Sequence, residues 1–158
     1  MTKYTRLTKE QFEELHKEFI NFLATQSITA EEWNKIKKED PGTAEEELDI
    51  FSDLIWEGVL DKASHLENIS PQQLFLFKIE KHEMKLIMVK TTKETVDITT
   101  HEGYKWLQQH FASDEVEFFT ATKEFSEDKK GDIFSLIQQG STITKGDLYN
   151  FFNKIVNA

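Results

Sequence analysis

Apolar side chains at Phe12, Leu15, Phe19, Phe22 and Leu23 recur every three or four residues, which predicts one stripe along an amphipathic helix. Thr8, with Gln11 three residues later, forms a capping-box pattern that starts it, since hydroxyl and amide satisfy each other's backbone N–H groups. A second, short helix is expected from Thr29, with Glu32 in the same relation, and carries Trp33 and Ile36. Asp40-Pro41-Gly42 ends it, because proline disfavours helix at the residue before it. A third opens at Thr43 with Glu46 and is expected to run to about Ala63 or His65.

After Pro71 the period shortens. Residues 74–79 (LFLFKI) and 84–90 (MKLIMVK) are apolar on both faces and read as a hairpin of two central strands. TVDIT at 95–99 is a shorter candidate strand, and VEFFTAT at 116–122 another. Thr99 with Glu102 predicts a helix through Tyr104, Leu107 and Phe111. Another is expected around 127–139, stopped by Gly140, and a last one from near Thr144 with Leu148, Phe151, Phe152 and Ile155 on one face. The fold class expected is α+β: three N-terminal helices, a three- to four-stranded antiparallel or mixed sheet, and C-terminal helices. With 158 residues, no repeat and no linker, residues 1–158 are expected to form a single domain. A subdivision into a helical 1–65 and a sheet-bearing 66–158 is the alternative.

Charge narrows the partners. Lys+Arg 19 against Asp+Glu 29 gives −10, and Arg6 is the one arginine. Phosphate backbones and anionic membranes are held through cations, so direct nucleic-acid binding and membrane association are not expected. Zero Cys excludes disulfides, thiolate metal sites and a cysteine nucleophile. No apolar run approaches the roughly 20 residues of a membrane span, and the charged N-terminal stretch does not resemble a signal peptide, so a cytoplasmic protein is expected.

The six glycines form neither G-x-G-x-x-G nor a P-loop, and no G-x-S-x-G, H-E-x-x-H or EF-hand loop occurs. Glu13-x-x-His16 has the spacing of a di-iron helix, but such sites need the motif twice, and it occurs once. His82 beside Glu80 and Glu83, and His101 beside Glu102, are candidates for a general base tuned by carboxylates. The plainer reading is a solvated turn and a solvated helix start. No metal or cofactor is expected.

The third helix carries the strongest pattern. At 100° per residue, Glu46, Asp49, Asp53, Glu57 and Asp61 fall on one line, although like charges four apart cost roughly 0.2–0.5 kcal/mol per pair. Residues 31–61 hold 11 acids against 3 bases. Leu48, Phe51, Ile55 and Val59 are assigned to the core side, with Ile50, Leu54, Trp56 and Leu60 flanking the acids. Either this seam is solvated or met by lysines of the same chain, such as Lys35, Lys37 and Lys38, or it is a docking surface for a basic protein. In that second case Asp49, Ile50, Asp53, Trp56, Glu57 and Leu60 make the contact.

The strings YTRLTKEQFEELHKEFINFLATQSI at 4–28, ELDIFSDLIWEGVL at 47–60 and IFSLIQQG at 133–140 resemble a family of short acidic bacterial proteins known only as a domain of unknown function. The resemblance covers nearly the whole chain. It implies a small cytoplasmic bacterial protein and brings no activity, cofactor or catalytic residue. The charge of 31–61 and the acidic seam make the leading expectation a non-catalytic interaction domain that docks a basic protein through 43–63. Its rivals are a small-molecule- or metal-binding domain or enzyme, with carboxylates and His82, His101 or His16 at the sheet, and a structural, self-associating protein.

Overall fold

A computed structural model describes residues 1–157, with seven helices and five strands among them. The chain divides into two compact units, Met1–Asp61 and Lys62–Ala158.

The first unit is helical: α1 (Lys9–Glu14), α2 (His16–Thr25), α3 (Ala30–Glu39) and α4 (Pro41–Lys62), the last running one residue past the unit. The capping box at Thr8 and Gln11 is formed in both directions, and Thr29 accepts from the Glu32 N–H. The first stripe is split where Leu15 leaves helical geometry, giving two short helices in place of one. Pro41, not Thr43, opens α4. Asp40 ends α3 and then accepts both the N–H and the hydroxyl of Thr43, while Pro41 occupies the first helical position, where a missing N–H costs nothing. Leu7, Phe19, Leu23, Trp33, Ala44 and Phe51 form the core, with Phe12, Phe19, Phe22 and Phe51 in mutual ring contact.

The second unit is built on one antiparallel sheet of order β4-β3-β2-β1-β5. Its strands are β1 (His65–Ser70), β2 (Gln73–Ile79), β3 (Glu83–Thr91), β4 (Val116–Glu124) and β5 (Thr142–Thr144), with α5 (His101–His110), α6 (Lys129–Gln138) and α7 (Asp147–Val156). The predicted hairpin is β2–β3, and both strands are central as expected. The sheet has five strands, not three or four, because β1 and β5 add one edge. His65 opens a strand where the sequence pattern extended a helix.

TVDIT forms no strand. Asp97 accepts from the Thr99 N–H and hydroxyl, and this side-chain turn bends the segment. Val96 and Ile98 are apolar because they join the core with Leu74, Leu76, Ile87, Val89, Leu107, Tyr149 and Phe152. With the Thr99 hydroxyl engaged there, Thr100 caps α5 by accepting from Gly103 N–H. A Cβ at Gly103 would lie 1.7 Å from the Asp97 carbonyl oxygen, so only glycine lets α5 approach this turn. The last helix starts at Asp147 and not near Thr144, because Thr142–Thr144 pairs with β1 and Gly146 turns the chain at φ +90°.

Candidate functional site

The acidic residues of α4 do lie along one line, and the chain's own first seven residues meet three of them, Asp49, Asp53 and Glu57. Asp53 accepts from the backbone N–H groups of Lys3 and Tyr4, at 2.8 and 3.1 Å. Glu57 accepts from the Tyr4 hydroxyl at 2.7 Å and pairs with Lys3 Nζ at 3.3 Å. Asp49 takes Arg6 Nε at 2.7 Å and the terminal amine at 3.3 Å. One turn further round, Ser52, fully buried, accepts from Leu7 N–H and donates to the Leu48 carbonyl.

Burial holds this strap more than charge does. Exposed ion pairs contribute about 0–1 kcal/mol each, whereas burying Leu7 and Tyr4 contributes up to roughly 1.5–3 kcal/mol apiece. The hydrogen bond from Arg6 still holds the Asp49 carboxyl below the usual carboxylate range. Tyr4 is pushed up, first by its burial and then by its bond to Glu57. Asp49 and Glu57 are therefore met within the chain by Arg6, the terminal amine and Lys3, and these cations are not the lysines expected, Lys35, Lys37 and Lys38.

The six residues expected to form a docking surface separate. Ile50 is 47% exposed, and Leu54, one turn on, is 54% exposed. Asp53 and Glu57 flank them. Trp56 packs against the helical core, and Leu60 is only 2% exposed, which removes it from any surface. Asp49 is tied to Arg6. Val59, expected in the core, is exposed, so the buried side of α4 rotates between Phe51 and Leu60.

The helical unit also has, on its surface, an open-mouthed cavity of about 610 Å³. Phe12, Phe19, Ile20, Trp33 and Leu48 form its apolar wall. Arg6, Lys9, Glu13, His16, Asn34 and Lys37 supply its polar lining. Lys37 Nζ stands 5.9 Å from the centre of the Trp33 ring. Glu13 and His16, notable in sequence for metal-like spacing, are lining residues here. Among the described residues no group of three or more His, Asp or Glu side chains is placed to hold a metal ion.

In the sheet unit, His82 lies exposed in the β2–β3 turn, and its carbonyl accepts from Phe125 N–H. His101 lines a separate, largely apolar recess with Ile69, Leu74 and Tyr104. The two are not brought together. His65 is the histidine that sequence reasoning passed over. Its Nδ1 is 2.9 Å from Ser64 Oγ, its Nε2 is buried without a hydrogen-bond partner, and its ring lies against Tyr149. Burial, then the nearby Lys78, lowers its pKa. Beyond it, Lys78, Lys85, Thr120, Thr122, Tyr149 and Asn153 line a polar cleft of about 640 Å³, where Glu80 pairs with both lysines at 3.6 Å.

No helix among the described residues is long and apolar enough to cross a membrane. A family model described as a family of unknown function (DUF6495) matches residues 1–157. No curated protein and no solved structure matches the chain.

Proposed function

The chain belongs to the DUF6495 family of unknown function, and we propose that it is a cytoplasmic interaction module that docks a basic, amphipathic protein segment on α4. The observation that carries this reading is the pair Ile50 and Leu54, about half exposed and one turn apart on an acidic helix, with the exposed Glu46 one turn before Ile50. Apolar anchors supply affinity at such a surface, and the surrounding carboxylates select a cationic partner. The surface is narrower than the one expected from sequence, because Leu60 is buried, Trp56 packs against the helical core, and Asp49, Asp53 and Glu57 are engaged by the N-terminal strap. The N-terminal strap illustrates the chemistry, since Lys3 and Arg6 already meet neighbouring acids of the same helix.

The test is fluorescence anisotropy with a labelled amphipathic helix of lysine and leucine, read against wild type and an Ile50→Ser, Leu54→Ser double variant. Covering the exposed half of each side chain is worth about 1 kcal/mol. The double variant, with its charge unchanged, should therefore bind about thirtyfold more weakly. Equal affinity of wild type and variant would reduce any binding to general attraction by an acidic protein and overturn the reading.

A further inference from the structure

The cavity among α1, α2, α3 and α4 has a wall and a lining of opposite character. Its floor is aromatic and aliphatic, with Phe19 and Trp33 themselves almost fully buried. Residues 1–61 hold 15 acids against 7 bases, yet the cavity is lined by three cations, Arg6, Lys9 and Lys37, and a single carboxylate, Glu13. Arg6 is committed to Asp49, which leaves Lys9 and Lys37 as the charges available to a ligand. Lys37 is also placed over the Trp33 ring, so its ammonium stands where an apolar surface and a positive charge adjoin. At about 610 Å³ the space lies inside the range of small-molecule sites, roughly 300–1,000 Å³.

We propose that this cavity binds an amphipathic carboxylate, a medium-chain fatty acid, with its tail on Phe12, Phe19, Ile20 and Trp33 and its carboxylate against Lys37 and Lys9. An apolar chain satisfies the wall, and a single anionic head matches a lining that runs against the sign of the unit around it. A cationic amphiphile would meet two ammonium groups there. A neutral one would leave them unpaired. The site is separate from the Ile50–Leu54 surface and does not depend on that surface having a partner.

The probe is decanoate, kept below the concentration at which it aggregates, with decan-1-ol and decyltrimethylammonium as comparisons. Binding is followed on the full chain by NMR, using the Trp33 indole N–H resonance identified with a Trp33→Phe variant, and by calorimetry. Decanoate should shift the Trp33 signal and bind more tightly than the alcohol. A Lys9→Gln, Lys37→Gln variant, altered only at exposed side chains, should bind decanoate about tenfold more weakly while its affinity for decan-1-ol stays unchanged. A Trp33 signal unmoved by decanoate would overturn the proposal. So would equal binding of decyltrimethylammonium, or full decanoate affinity in the double lysine variant.

Discussion

Ser52→Ala isolates the anchor of the N-terminal strap. The Ser52 hydroxyl is completely buried and is the acceptor for Leu7 N–H at 3.0 Å. It also donates to the Leu48 carbonyl at 2.7 Å, but that oxygen keeps its ordinary helical bond when the hydroxyl is removed. The substitution removes one atom and opens no sizeable cavity. Its cost is the unsatisfied Leu7 N–H, about 1–3 kcal/mol, and a middle value of about 2 kcal/mol raises the opening constant of the strap roughly thirtyfold. Amide hydrogen exchange resolved by residue measures this directly. Leu7, and with it the Lys3 and Tyr4 amides that donate to Asp53, should exchange faster by about that factor. Core amides of α2 should keep their wild-type rates. Unchanged exchange at Leu7 would refute the assignment of Ser52 as anchor. A uniform acceleration through α2 and α4 would show that the hydroxyl supports the whole helical unit and not the strap.

The Arg6–Asp49 pair should weaken in acid. The folded carboxyl is held below its ordinary value, 3.8, so its contribution is intact above that pH and is lost as pH falls from there through the folded pKa. An NMR titration should find the Asp49 midpoint below that value and returned toward it by Arg6→Gln. Gly146→Ala should destabilise the chain by on the order of 3 kcal/mol, because φ is +90° and the new Cβ would lie 2.5 Å from the His65 ring. Gly58→Ala, inside α4 with nothing within 4 Å of the added carbon, should stabilise by about 1 kcal/mol. Urea denaturation of the two variants, side by side, tests both signs.

What was legible in the sequence was what adjacent residues decide. Thr8 with Gln11, and Thr29 with Glu32, place helix starts because the capping partners are three residues apart. The doubly apolar runs mark β2 and β3 as central. The carboxylates of α4 align because helical geometry alone aligns them. The strap was not legible, because Arg6 and Asp49 are 43 positions apart and residues 1–7 have no periodicity. β5 is three residues long and gains meaning only from its pairing with β1. In TVDIT the alternation is real, but one aspartate side chain outcompetes the ladder. The cavity was invisible for the same reason as the strap: Lys9 and Lys37 approach it from different helices.

The pairing of β5 with β1 bears on the order in which the protein can acquire its structure during synthesis. Residues 65–67 must wait for residues 142–144, and the sheet core must wait for Tyr149 and Phe152 on the helix that follows. The helical unit draws its core from residues 7–56, all of which are synthesised before the first strand of the sheet. At a synthesis rate of roughly 5–20 residues per second, β2 and β3 spend several seconds as apolar strands without their covering helix. Through that interval the nascent sheet, not the helical unit, is the part of the chain that a chaperone has reason to hold.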